Sequence, residues 1–97
     1  MSAYWVARSV INDPAAYKRY TDLVPDIIAR HEGRILARGG DYEILEGPRK
    51  FQRFVVIEFP SMAHARACFE SQDYQDAARW RRTDGAGEAE LVIVEAV

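Results

Sequence analysis

Three observations predict an α+β domain with the element order β-α-β-β-α-β. Short runs rich in β-branched and aromatic residues lie at Ala3 to Ile11, Phe51 to Phe59 and Glu90 to Val97, the composition that suits strands. Between them, apolar residues recur at spacings of three and four, the period of a helix with one buried face. The chain has 97 residues, 48% hydrophobic and 29% charged, which suits one compact domain over residues 1–97 and leaves no material for a second core.

The first strand, Ala3 to Ile11, stops at Asn12-Asp13-Pro14. Asp13 is placed to accept hydrogen bonds from the first free N–H groups of a helix, and Pro14 at the first helical position has no N–H to leave unmet. Tyr17, Tyr20, Val24, Ile27, Ile28 and His31 share one face of that helix, and Gly33 ends it. Pro25 removes the bond to the Thr21 carbonyl, so a kink or break near Leu23-Val24 is expected. Strand character resumes from Arg34 to Ala37 and again at Tyr42-Glu43-Ile44-Leu45, with Gly39-Gly40 between, which reads as one strand carrying a glycine bulge. Phe51 to Phe59 follows and ends at Pro60. Ser61 caps a short helix with Ala65, Cys68 and Phe69 inward. Ser71 caps another with Tyr74, Ala77, Ala78 and Arg81 inward. Asp84 to Gly87 reads as a turn with little to bury, before the last strand.

Two right-handed β-α-β units joined through a hairpin make a ferredoxin-like four-stranded antiparallel sheet with its helices on one face. The first strand puts Trp5, Ala7, Ser9 and Ile11 on one side and Tyr4, Val6, Arg8 and Val10 on the other. The third puts Val55, Ile57 and Phe59 against Phe54, Val56 and Glu58, and the fourth puts Leu91, Ile93 and Val97 against Val92, Val94 and Ala96. Neither side is polar throughout. Helices cover one side only, so the pattern predicts a partner on the other, most simply a second copy in a homodimer.

Thirteen Lys and Arg against fifteen Asp and Glu leave a formal charge of −2, which argues against a nucleic-acid partner. One cysteine and two histidines at unrelated spacings supply no usual metal-ligand set, and no metal or organic cofactor is expected. The start Met1-Ser2-Ala3-Tyr4-Trp5 has no secretory pattern and no run is apolar enough for a membrane span, so a cytoplasmic location is the expectation.

Several short strings, in order along the chain, carry a family resemblance: Asp13-Pro14 with Tyr17 and Tyr20, Arg38-Gly39-Gly40, Leu45-Glu46-Gly47, Val56-Ile57-Glu58-Phe59-Pro60-Ser61, Tyr74-Gln75 and Val94-Glu95. Together they resemble the DUF1330 family of small proteins of unassigned function. The resemblance implies a dimeric α+β barrel of ferredoxin-like subunits and carries over no catalytic residue. The chain departs from the family pattern at Gln72-Asp73, where Pro-Glu is common, and at Ala96, where Gly is usual.

No residue pattern specifies a reaction. Arg8 and Glu58 interrupt apolar strands, and their expected pairing, across strands or across a dimer interface, would either fix register or give an electrophile and an acid or base. Tyr17, Tyr20 and His31 on the inward helix face are candidate ligand contacts between helices and sheet. His31 is the group there that would titrate near neutral pH, and thus the candidate general base. Arg38 beside Gly39-Gly40 is a candidate contact for an anion. The basic cluster Arg79, Arg81 and Arg82 around Trp80 is read as complementing a helix dipole, and Cys68 as core. Two function classes result: a binding protein for a small aromatic or anionic ligand, with or without catalysis, and a dimeric interaction module with no chemistry.

Overall fold

A computed structural model describes every residue from Met1 to Val97. In chain order the elements are β1 (Ala3–Ile11), α1 (Pro14–Arg30), β2 (Arg34–Arg38), β3 (Arg53–Phe59), α2 (Met62–Glu70), α3 (Gln72–Arg82), a 3-10 turn (Thr83–Gly85) and β4 (Gly87–Glu95). The strands form one antiparallel sheet in the order β2-β3-β1-β4. This is the ferredoxin-like arrangement. Trp5, Ile57 and Phe59 pack beneath Val24, Ile27 and Ile28 of α1, Ala65 and Cys68 of α2, and Tyr74, Ala77 and Ala78 of α3.

Local chemistry accounts for the helix boundaries. The Asp13 carboxylate accepts from the Ala15 and Ala16 N–H groups at 3.1 and 3.2 Å, with Pro14 in the first turn. Ser61 Oγ accepts from the His64 N–H at 3.1 Å to open α2. Ser71 Oγ donates to the Cys68 carbonyl at 2.8 Å and accepts from the Tyr74 N–H at 3.2 Å, so one hydroxyl closes α2 and opens α3.

Three expectations are corrected. Pro25 does not divide α1, which runs unbroken from Pro14 to Arg30; the buried side chains Val24, Ile27 and Ile28 flank the proline and hold both turns against the same core, so packing outweighs one lost backbone bond. Glu32, just before Gly33, takes the left-handed backbone at the end of α1, at φ 63°. Gly33 is needed for space: a Cβ there would come within 2.6 Å of Ile28 Cγ2 and 2.7 Å of Phe59 Cε1. The irregularity in β2 falls between Ile35 and Ala37 rather than at the glycines. Gly39, at φ 65°, turns the chain off the sheet, and Tyr42 to Leu45 pairs with no strand. The last turn is not free of burial, because Ala86 is enclosed and its carbonyl accepts from the Asn12 and Asp13 N–H groups.

Trp5 and Ser9 are buried on the helix side of β1, as the alternation predicts, whereas Val6, Val92 and Val94 on the opposite side are 41%, 54% and 49% exposed.

Candidate ligand cleft

Arg8 and Glu58 do not pair across the strands. Arg8 lies level with Phe54 of β3 and Glu90 of β4, while Glu58 is opposite Tyr4, four residues or about 13 Å along the sheet. Arg8 Nη2 is 2.7 Å from Glu90 Oε1, its guanidinium covers the Phe51 ring at 4.1 Å, and Glu58 accepts from Arg34 Nη2 at 3.0 Å. Antiparallel register thus gave each charge a nearer partner. His31 is likewise displaced from its expected place: it is the C-cap of α1, about 16 Å along the helix from Tyr20, and does not border the cavity described next.

Tyr17, Tyr20 and Arg38 do meet. Between α1, α3 and the sheet lies a chamber of about 50 Å³, lined by apolar side chains together with Ser9, Tyr17, Tyr20, Arg38, Arg53, Tyr74 and Arg81. Outside it a wider cleft of about 590 Å³ is bordered by Lys18, Asp22, Arg38, Gly39 and Arg53. Tyr17, Thr21, Pro25, Arg38 and Arg53 border both spaces, so chamber and cleft are the inner and outer parts of one recess.

The charges in the recess are one-sided. None of the residues lining the chamber is acidic. Asp22 at the outer rim is paired with Lys18 at 2.9 Å, whereas Arg38, Arg53 and Arg81 are in no ion pair. Arg53 continues the inward row of Val55, Ile57 and Phe59, which places its guanidinium over the Tyr17 ring at 5.8 Å. The Gly39 N–H is bonded to the Phe54 carbonyl at 3.3 Å, so the glycine pair lends no free amide from that position and Arg38 contributes by its side chain.

Hydrogen bonds order the inner wall. Tyr17 donates to Ser9 Oγ at 2.8 Å, Tyr20 and Tyr74 share a hydrogen bond at 2.8 Å, and Arg81 Nη2 donates to Tyr74 Oη at 3.2 Å. Arg81 also stands 5.1 Å from the Tyr20 ring centroid. Burial, with Tyr74 alongside, pushes the Tyr20 phenol well above the ordinary tyrosine range, so it stays neutral. Burial works against the Arg81 charge, yet the adjoining Tyr74 and Tyr20 oxygens leave its pKa above the usual guanidinium value. Burial pushes the Cys68 thiol up to about 12, a core thiol and not a nucleophile.

Arg81, Tyr74, Arg53 and Ser9 were not among the residues singled out as candidate contacts. The signal existed for Arg81 and Tyr74, which fall seven apart on the inward stripe of their helix; a charged residue at such a position requires a polar neighbour. A second polar group lies elsewhere, where His64 Nδ1 is 2.7 Å from Ser61 Oγ and Nε2 is 3.0 Å from Glu32 Oε2. Its hydroxyl is the cap of α2, which accounts for it. No three His, Cys, Asp or Glu side chains are grouped to hold a metal ion, and no helix is long and apolar enough to cross a membrane.

A family model described as a domain of unknown function, DUF1330, matches residues 2–97. The chain belongs to the DUF1330 family. No curated protein matches the sequence of this DUF1330 chain. Among solved structures it is similar to a protein of unknown function from Rhodopseudomonas palustris, with TM-score 0.74, 17% identity, 99% of this chain and 82% of that chain covered. It is similar to a dimeric ferredoxin-like protein of unknown function from a Jannaschia species, with TM-score 0.68, 15% identity and 99% and 100% coverage. A third is SnoaB, a cofactor-independent oxygenase from Streptomyces nogalater, with TM-score 0.66, 16% identity and 99% and 93% coverage. At these identities the likeness is one of fold.

Proposed function

We propose that this DUF1330 protein is a homodimer that binds a small molecule with an apolar or aromatic body and an anionic group in the recess between α1 and the sheet. The observation that carries this reading is the cleft rimmed by two guanidinium groups without ion pairs, Arg38 and Arg53, beside the aromatic rings of Tyr17 and Tyr20. Uncompensated arginines on a concave, partly apolar wall favour an anion with carbon attached. Equilibrium dialysis against naphthoate tests it. Retention by the wild-type chain, and loss of retention on joint Arg38→Ser and Arg53→Ser substitution, is the expected result; no retention of either naphthoate or naphthol at millimolar protein overturns it.

The dimer in this reading rests on the exposed Val6, Val92 and Val94 row and on the dimeric state of the Jannaschia protein. A second reading, a dimeric interaction module without a ligand, is favoured by the small size of the inner chamber, about 50 Å³. The dialysis separates the two, since the module reading expects no naphthoate retention.

A further inference from the structure

The inner chamber is lined by a buried cation without an acceptor equal to it. Arg81 is only 8% exposed, and its guanidinium donates to Tyr74 Oη at 3.2 Å with the Tyr20 phenol as its other polar neighbour. A buried guanidinium ordinarily lies against a carboxylate, because a charge removed from water needs an opposite charge to offset its desolvation. Here the surrounding wall contains no acid, and Tyr20, which burial keeps protonated, provides no phenolate. The indole of Trp5 lies close to this cation and reports on its surroundings. Trp5 borders the same chamber, is 2% exposed, and its Nε1–H is buried without any partner. Its ring lies 5.1 Å from that of Tyr74, the residue that Arg81 contacts. A charged donor therefore stands at a small space that offers it no anion, with the indole ring of Trp5 in its wall.

Size decides which end of a ligand enters. A cavity near 150 Å³ accepts a benzene ring, and this chamber is about 50 Å³. A ring does not fit, whereas a head of a few atoms does. The apolar body then remains in the wider outer cleft of about 590 Å³, against Tyr17 and the Arg53 guanidinium.

We propose that the chamber is a carboxylate subsite, and that the ligand of this protein is an organic acid bound with its carboxylate inward on Arg81 and its apolar body in the outer cleft. This rests on the reading of the recess as a ligand site and adds the chemical class and the orientation. The planar guanidinium can face both carboxylate oxygens, and Arg38 and Arg53 at the rim draw the acid in without holding its head.

The test follows the indole N–H resonance of Trp5, assigned against Trp80 by a Trp80→Phe substitution, during titration with naphthoate, with naphthamide of the same shape, and with sodium chloride at matched ionic strength. Naphthoate is expected to move the resonance and to bind at least about tenfold more tightly than naphthamide, the scale of a hydrogen bond to a charged partner. Arg81→Met is expected to abolish that preference and Arg81→Lys to keep part of it. Should Arg81→Met fail to fold, Tyr74→Phe keeps the charge while freeing it from the Tyr74 hydroxyl, and a retained preference for the acid is expected. Naphthoate binding that ignores Arg81 but depends on Arg38 and Arg53 would overturn the inward orientation and leave the cleft reading intact. Absence of any naphthoate binding removes both. An equal shift of the indole resonance with chloride would make this an inorganic anion site and refute the organic acid.

Discussion

The phenolic oxygens of Tyr20 and Tyr74 lie 2.8 Å apart and share a hydrogen bond, tying the middle of α1 to the first turn of α3. The two hydroxyls are not equivalent, because Tyr74 is also the acceptor for Arg81 at 3.2 Å. Tyr74→Phe strips a buried cation of its partner and is expected to cost about 1–3 kcal/mol, whereas Tyr20→Phe loses one neutral bond and is expected to cost about 0.5–1.5 kcal/mol. Urea unfolding of the two variants measures the difference, and equal losses would show that Tyr74 does not sustain the Arg81 charge.

The close approach at Gly33 gives a second prediction. A methyl group there meets Ile28 and the Phe59 ring inside 3 Å, so Gly33→Ala is expected to destabilise by about 1–3 kcal/mol through overpacking. Gly40 has nothing within 4 Å of an added Cβ and no positive φ, and Gly40→Ala is expected to be neutral or slightly stabilising. A chemical denaturation curve for each decides it; a mild Gly33→Ala would mean the helix end shifts freely away from β3.

Double-mutant cycles on Arg8 resolve the charges of the outer sheet face. Arg8 and Glu90 touch at 2.7 Å with side chains 41% and 55% exposed in the single chain, so in a Val6→Glu, Val94→Glu background that keeps the chain monomeric their coupling is expected at about 0.2–1 kcal/mol. Arg8 and Glu58, four residues apart along the strand, are expected to be additive. Coupling between Arg8 and Glu58 larger than that with Glu90 would show that a second copy brings them together.

The outer valines predict a mass. Light scattering should give twice the 11.1 kDa of the chain, and Val6→Glu combined with Val94→Glu should return it to one chain mass by placing charges on the face proposed as the interface. A wild-type value of 11.1 kDa across micromolar to millimolar protein counts against the dimer.

Cys68 carries a pH prediction. Its thiol rises from 9.0 to about 12 on burial, so the folded chain keeps a proton that the unfolded chain releases above pH 9. Stability from this group is therefore complete below about pH 9 and is lost as pH climbs toward 12. Thermal melts from pH 8 to 11 should fall more steeply for the wild type than for Cys68→Ala, and parallel profiles would show the thiol titrates equally in both states.

The architecture was legible because it follows from local rules: Asp13, Ser61 and Ser71 mark helix starts, and the alternation in β1 and β3 separates Trp5 and Ile57 from Val6 and Val56. Pro25 was misread because a local rule about one hydrogen bond met three buried neighbours. Tyr42 to Leu45 has strand composition but no adjacent backbone to pair with, which composition does not encode. The recess was half legible. Tyr17 and Tyr20 announce themselves by helical spacing, yet Arg81 comes from a different helix and His31 drops out through the length of α1, and both outcomes depend on three-dimensional placement. Arg8 found Glu90 instead of Glu58 because register, not proximity in composition, chooses partners across a sheet.

The single hydroxyl of Ser71 works as the pin of an elbow joint. It binds the carbonyl of Cys68 on one side and the amide of Tyr74 on the other, and together with Gln75 Nε2, which donates to the Phe69 carbonyl at 2.6 Å, it braces the angle between α2 and α3 from a position that does not itself line the recess. The reach of the Arg81 contact is thereby calibrated from outside the site, and a tilt of that elbow would open or pinch the inner chamber while every residue in its wall stays the same.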